Sequence, residues 1–195
     1  MANSLRGKLK IFFTEPQWAK VRRVLWFFVI TLAFHVLWRI WANTLHFAPI
    51  SQVISVLRVF LVNQVYDTSS FILRDILNVT LYTDPPDMVT KNGVRLILGQ
   101  SAAGLKQMCQ FAVLILLFSG SWKHKIWYIP VGIIILHMTN IFRIMSLVVI
   151  AMHWPQQIHY ANHTYLSIIY YVVIFGMWLF WVEKIAPGNR KEKSG

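Results

Sequence analysis

Arg143 lies inside an apolar stretch, residues 129–150, that is long enough to cross a bilayer. Arginine keeps its proton there, and a charge at membrane depth costs at least about 2.5 kcal/mol, so Arg143 is a candidate functional group. Asn140 precedes it by three residues and shares its helical face. Arg143 either stabilises an anion that develops during a reaction or is a structural arginine. Few acidic residues could pair with it, and none falls in a clear span: Asp67, Asp75, Asp84 and Asp87.

Cys109 is the only cysteine of the chain, so no intrachain disulfide can form. It falls in the first turns of a predicted helix, where unpaired N–H groups and a partial positive charge favour the thiolate. The alternative is a small packing residue. Side chains tilt toward the N-terminus of their own helix, so Cys109 and Arg143 point toward each other on antiparallel helices. Along the helix axes the two residues are about 12 Å apart, at ~1.5 Å per residue, and we expect the length of the arginine side chain to close most of that gap.

Three histidines, His153, His159 and His163, follow the span that contains Arg143. A Cys–His pair is the usual arrangement for activating a thiol nucleophile, and His163 stands where the last span begins. The same three residues could be considered metal ligands. Their spacing, with no cysteine or glutamate nearby, is a weak ligand signature. We therefore predict no metal site and no cofactor.

The composition predicts a polytopic membrane protein, since 56% of the 195 residues are hydrophobic and only 13% are charged. The formal net charge is +12, which could indicate nucleic acid. The basic residues instead flank apolar spans, as the positive-inside rule and contacts with anionic headgroups require. We expect membrane lipids and no nucleic acid as partners. Twelve of the nineteen lysines and arginines lie in these flanking positions: Arg6, Lys8, Lys10, Lys20, Arg22, Arg23, Lys123, Lys125, Lys184, Arg190, Lys191 and Lys193.

The predicted fold is an all-α polytopic membrane protein, a helical bundle of about four to six transmembrane or re-entrant helices with a small extracytoplasmic hairpin. One membrane-embedded domain is expected over residues 1–195, with spans near 24–45, 126–152 and 164–182 and a further span that follows residues 101–104 and runs to about residue 122. Residues 49–81 mix apolar and charged side chains, which favours amphipathic surface helices or a re-entrant pair. The Asn92-Gly93 turn predicts the hairpin, between residues 88–90 and 94–98.

The basic ends predict the topology. The basic segment 1–23, the loop 119–125 and the basic tail 184–195 are expected in the cytoplasm. The segment 82–107 and the loop 153–163 then face outward. Cys109, Arg143 and the histidines consequently share the extracytoplasmic side.

The order Cys109, then Asn140-Ile141-Phe142-Arg143-Ile144, then His163 resembles the exosortase/archaeosortase family of multi-pass cysteine transpeptidases. The resemblance covers roughly residues 82–183 and is greatest to the short exosortase-related proteins of Bacteroidetes. Many members carry Ala-Cys-Ser-Gly where this chain has Met108-Cys109-Gln110-Phe111, and an Asp where it has Thr164. These departures bear on signal and acceptor specificity more than on the nucleophile.

The resemblance implies that Cys109 is the nucleophile, His163 the general base and then acid, and Arg143 the group that stabilises the oxyanion. Asn140 is expected to orient Arg143 or to add a donor. The implied substrates are exported proteins with a C-terminal motif, a transmembrane helix and a basic tail. They would be cleaved at the outer face of the bacterial inner membrane and transferred to an acceptor.

Two other functions stay open. The protein could be a non-catalytic membrane subunit, in which Arg143 and Asn140 hold the bundle together. It could also be a lipid- or phosphate-handling enzyme that uses Arg143 with His153 and His159 and no thiol. Both predict that replacement of Cys109 is tolerated.

Overall fold

The computed structural model describes residues 18–44 and 48–186 of the chain. Most of the predicted basic segments, residues 1–17 and 187–195, therefore lie outside the described residues. The chain forms two compact units, Met1–His46 and Phe47–Gly195, which are described separately below.

The first unit contains one long helix, α1 (Ala19–Thr44). It holds neither glycine nor proline, and its apolar side chains are spread around the whole helix rather than along one stripe. Its segment Lys20–Trp41 is long and apolar enough to cross a membrane. This segment corresponds to the first span predicted from the sequence.

The second unit contains four longer helices besides shorter helical segments such as Ile158–Tyr160. The longer helices are α2 (Ala48–Phe71), α3 (Leu105–Leu117), α4 (Trp122–His153) and α5 (Leu166–Phe180). Two further candidate spans are found here, Trp122–His153 and Leu166–Ile185. The described chain is therefore an all-α polytopic membrane protein with a small sheet, as predicted.

A three-stranded antiparallel sheet lies between α2 and α3. Its strands are β1 (Leu81–Asp84), β2 (Asp87–Thr90) and β3 (Arg95–Leu96), paired in that order. The predicted hairpin around Asn92-Gly93 is confirmed, with Val89 opposite Arg95. Gly93 has a φ of +77°, which the turn requires and which glycine adopts without strain. The strand β1 was not predicted.

The end of the second unit that carries the sheet, called here the sheet end, is also where α4 ends. The side-chain amide of Asn92 donates a hydrogen bond to the Met152 carbonyl oxygen at 2.7 Å. Apolar residues of α2, the sheet and α4 pack together at this end, among them Val65, Met88 and Val148, all fully buried. This core holds the sheet firmly against the ends of α2 and α4.

At the opposite end, a short turn joins α3 to α4. Lys125 is buried there, and its ammonium donates a hydrogen bond to the Leu116 carbonyl oxygen at 2.8 Å. This carbonyl belongs to the last turn of α3, whose C=O groups have no partners within the helix. The same ammonium lies 5.4 Å from the centre of the Trp122 ring. Lys125 therefore caps α3 from the first turn of α4.

Three predicted boundaries were wrong. The span expected to follow residues 101–104 and to run to about residue 122 begins as predicted but ends earlier, after thirteen helical residues. The expected loop 119–125 is shorter, because α4 begins at Trp122. The expected outer loop 153–163 is largely helical, ending in the π-helical turn Ala161–Tyr165.

Two alternatives were expected for residues 49–81, amphipathic helices or a re-entrant pair. The structure shows a single helix, α2, followed by the π-helical turn Ile72–Ile76, and no re-entrant pair within these residues. One face of α2, which includes Val62, Val65 and Leu73, is buried in the core of the second unit.

Candidate active site

Arg143 lies on the face of α4 that turns toward an open cleft at the sheet end. The cleft has a volume of about 80 Å³ and is lined by residues of four separate segments. They are Leu96, Ile97, Leu98, Ala102, Arg143, Ile144, Leu147, Ile158 and Asn162. Only Arg143 and Asn162 among them are polar, so the cleft is an apolar depression with a cation on one wall.

The guanidinium of Arg143 is held by an amide rather than by a carboxylate. Its Nη2 donates a hydrogen bond to Asn162 Oδ1 at 2.5 Å. Its Nε is buried and has no hydrogen-bond partner. In the described part of the chain, no carboxylate lies within ion-pair distance of Arg143. Its positive charge is therefore not neutralised by a described side chain, which is the condition for binding an anionic group.

Asn140 is fully buried one turn below Arg143. Its amide nitrogen donates a hydrogen bond to the carbonyl oxygen of Ala102, in the 3₁₀ turn before α3. Its Oδ1 is buried without a partner. Asn140 thus fixes the start of α3 against α4, and its described hydrogen bond does not go to Arg143.

Tyr170 of α5 closes the same region from the other side. Its hydroxyl donates a hydrogen bond to the Leu136 carbonyl oxygen at 3.3 Å. A Cβ on Gly104 would meet this hydroxyl at 2.8 Å and the Asn140 amide nitrogen at 3.2 Å. Arg143 is also within electrostatic range of the hydroxyl. Gly104 is therefore the point where α3, α4 and α5 approach most closely around the arginine.

Cys109 is the fifth residue of α3, beyond the first turn whose N–H groups lack intrahelical partners. The favourable effect of a helix N-terminus on a thiolate falls off within that turn. The thiol is partly exposed, and it is not among the groups that line the cleft. The helix-terminus activation predicted from the sequence is consequently weaker than expected.

The direction of Cys109 follows from its neighbour Phe111. The Phe111 ring occupies the space that a Cβ on Gly132 would need, so Phe111 faces α4. Two residues correspond to about 200° around a helix, which turns Cys109 away from α4. The thiol also lies within electrostatic range of Arg58, on α2. Cys109 therefore points away from α4.

The vertical offset between Cys109 and Arg143 is the one expected from the sequence. Gly104 lies beside Asn140, with Cys109 five residues further along α3 and Arg143 three residues further along α4. Because the helices are antiparallel, about 12 Å of helix axis separates the two levels. No hydrogen bond joins these two side chains within residues 48–186. The structure brings Arg143 to the cleft but does not bring Cys109 there.

His163 belongs to the π-helical turn Ala161–Tyr165, directly after Asn162. Its side chain lies outside what the structure describes, so its predicted role stays a prediction. Its backbone is nevertheless adjacent to the amide that holds Arg143. π-Helical turns are frequent at functional sites because they shift a side chain out of the helical register.

His153 and His159 do not line the cleft. The ring of His153 contacts the Val149 carbonyl through Nδ1 at 3.0 Å, and the ring of His159 lies against Tyr160. Among the described residues, no group of three or more His, Cys, Asp or Glu side chains is arranged to hold a metal ion.

Asn162 and Tyr170 were not identified as site residues from the sequence. The sequence offered one signal for Asn162, which is a polar residue directly before the candidate histidine His163. Tyr170 carries a hydroxyl inside an otherwise apolar span, where a buried hydroxyl needs a hydrogen-bond partner.

Comparison with known proteins gives one match. The family model described as Transmembrane exosortase matches residues 18–182 of the chain. No curated protein and no solved structure matches.

Proposed function

The chain belongs to the transmembrane exosortase family, and on this premise we propose that it is a membrane-embedded cysteine transpeptidase. It would cleave the C-terminal sorting signals of exported proteins at the extracytoplasmic face of the bacterial inner membrane. The substrate carries a short motif, a transmembrane helix and a basic tail, and its N-terminal part is transferred to an acceptor. Both termini of the enzyme would lie in the cytoplasm, which puts the sheet end outside.

The observation that carries this proposal is the un-neutralised guanidinium of Arg143 at the cleft. A peptide carbonyl placed there would develop negative charge on its oxygen during attack by a nucleophile. In an apolar surrounding, a fixed cation stabilises that charge far more than the same cation would in water. Arg143 is thus the proposed oxyanion-binding group.

Cys109 and His163 complete the proposed reaction. His163 takes the proton of the Cys109 thiol, and the thiolate attacks the carbonyl carbon, forming a C–S bond while the electron pair moves to the oxygen near Arg143. Collapse of this intermediate breaks the C–N bond, and His163 gives that proton to the leaving amine. An amine or hydroxyl of the acceptor then attacks the thioester and passes its proton to His163, and the C–S bond breaks as the thiolate leaves.

This reaction requires the sulfur of Cys109 to reach the cleft. The helix α3 lies between two non-helical joints, Gly104 with a φ of +67° and Phe118 in extended conformation. Such joints absorb the change in backbone angles when a short helix repositions. We propose that the start of α3 stays held by the Asn140–Ala102 bond while the helix beyond Gly104 turns when substrate occupies the cleft, because contacts between substrate and Arg143 favour the turned state.

A second function is favoured by one observation, the orientation of Cys109 away from α4 and outside the lining of the cleft. Under it, Arg143 binds the phosphate of a lipid or a lipid-linked substrate, and the thiol takes no part. The two proposals share the anion-binding cleft and differ in whether Cys109 reacts.

Both proposals are tested by co-expression of the enzyme with an exported protein. That protein carries a sorting motif, a transmembrane helix and a basic tail. Processing is followed by immunoblot in the wild type and in the Cys109→Ala, Arg143→Ala and Arg74→Ala variants. Arg74 is an exposed arginine beside Asp75 and serves as the matched control.

The first proposal predicts processing by the wild type and by Arg74→Ala, and none by the other two variants. Processing by Cys109→Ala at the wild-type rate would exclude the thiol mechanism. If the wild type leaves the substrate uncleaved, the lipid-phosphate proposal remains, and it predicts binding of an anionic phospholipid that Arg143→Ala loses and Cys109→Ala retains.

A further inference from the structure

Asn162 is a hydrogen-bond partner of the Arg143 guanidinium. The hydrogen bond from Arg143 Nη2 to Asn162 Oδ1 joins α4 to the π-helical turn before α5, and both side chains line the cleft. We propose that Asn162 is a positioning residue that holds the guanidinium at the cleft without neutralising its charge. This inference rests on the proposed function of Arg143 as the group that binds the substrate's developing anion.

The turn that carries Asn162 is itself held in place. The hydroxyl of Ser167 donates a hydrogen bond to the Asn162 carbonyl oxygen at 3.0 Å. The preceding residue, Ala161, is buried in the core of the second unit. A side chain on such an anchored backbone has few alternative positions. It can therefore keep a long, flexible arginine in a single orientation.

The choice of an amide rather than a carboxylate determines the charge of the cleft. An amide oxygen accepts a hydrogen bond from the guanidinium but brings no negative charge. A carboxylate in the same place would form an ion pair, as Asp87 does with Arg95 at 2.8 Å in the sheet. An arginine paired in this way has little net charge left for a substrate. Asn162 thus orients Arg143 and leaves the positive charge of Arg143 available to a substrate.

The same bond also links the two residues expected to act on opposite ends of the scissile bond. His163 follows Asn162 directly in the chain, so the backbone that carries the histidine is tied to Arg143 through one side chain. Loss of the amide would misplace the arginine relative to the histidine turn. A misplacement of about 1 Å in such a site can lower the rate about 100-fold.

The test compares Asn162→Ala with Asn162→Asp in the full chain in detergent. The first variant removes the acceptor, and the second keeps it with nearly the same shape while adding a charge. Asn92→Ala is the matched control, since its amide also joins two elements, the hairpin turn and α4, but is exposed and outside the cleft. Three quantities are measured: substrate processing, thermal unfolding, and the rate at which phenylglyoxal modifies Arg143, followed by mass spectrometry.

Asn162→Ala is expected to raise the rate of Arg143 modification several-fold and to lower processing about 100-fold. Asn162→Asp is expected to slow the modification and to unfold at the same or a higher temperature, and yet to process substrate poorly. A merely structural role does not predict this combination. Asn92→Ala should leave the modification rate and processing at wild-type values.

Wild-type processing by Asn162→Asp would overturn the proposal, and so would an unchanged modification rate of Arg143 in Asn162→Ala. The modification rate needs no substrate. If the wild type does not process the substrate, the proposed function is wrong. The rate at which phenylglyoxal modifies Arg143 still decides whether Asn162 holds Arg143.

Discussion

Asn140 of α4 donates a hydrogen bond from its amide nitrogen to the carbonyl oxygen of Ala102, 38 residues earlier in the chain. Both residues are buried, Asn140 completely. The bond connects the 3₁₀ turn that precedes α3 to the helix that carries Arg143. It therefore fixes where α3 begins along α4, and it also fixes the position of Ala102, which lines the cleft.

Replacement of Asn140 by alanine is expected to destabilise the protein by about 1–3 kcal/mol, because the buried Ala102 carbonyl loses its partner. Thermal unfolding in detergent measures this loss, and substrate processing should fall with it. Thr139→Ala is the control. The Thr139 hydroxyl bonds to the Ile135 carbonyl within the same helix and lies outside this contact, so its removal should change the unfolding temperature little. Equal destabilisation by the two variants would contradict the role given to Asn140.

Gly104→Ala is expected to destabilise the protein by about 1–3 kcal/mol. The φ of +67° disfavours any side chain, and the new Cβ would meet the Tyr170 hydroxyl at 2.8 Å. Gly99→Ala is the control, because Gly99 has an extended backbone and no atom near its Cβ position. Adding Tyr170→Phe to Gly104→Ala should recover the steric part of the loss but not the backbone part. If Gly104→Ala unfolds at the same temperature as Gly99→Ala, the close approach described here is wrong.

Lys125→Met is expected to weaken the joint between α3 and α4. The Leu116 carbonyl oxygen loses a charge-assisted hydrogen bond, which is worth about 1.5–3 kcal/mol, while the apolar part of the side chain is retained. Lys123→Met changes the same charge two residues away at an exposed position and should be nearly neutral. The two variants are compared by thermal unfolding. A larger effect of Lys123→Met would show that net charge, rather than capping, stabilises this end.

The sequence was sufficient to predict elements whose signals are local. The Asn92-Gly93 turn predicted the hairpin, and the long apolar run around Arg143 predicted α4. The end of α3 was placed too late because its apolar composition continues to Phe118. The helix ends at Leu117, and Ser119-Gly120-Ser121 then forms the turn, with Gly120 at a φ of +153°.

The candidate site was predictable only in part, because partners across the fold leave weak signals. Helical spacing placed Asn140 and Arg143 on one face, but it could not show that their amide and guanidinium bind Ala102 and Asn162. A backbone carbonyl carries no sequence signal, and Asn162 lies nineteen residues away across a turn. The direction of Cys109 could not be predicted either, because α3 is apolar on most sides. The contacts of Phe111 with Gly132 and Tyr128 show which side of α3 faces α4.

The central claim, that Cys109 attacks a peptide carbonyl held by Arg143, is tested most directly by capture of the covalent intermediate. Substrate is incubated with the purified enzyme, the mixture is quenched in acid, and mass spectrometry measures the acyl group on Cys109. The account predicts a hydroxylamine-sensitive acyl thioester on Cys109 in the wild type, absent from Arg143→Ala and from Cys109→Ala. Substrate cleaved at the normal rate by Cys109→Ala, with no acyl group on Cys109 in the wild type, would contradict it.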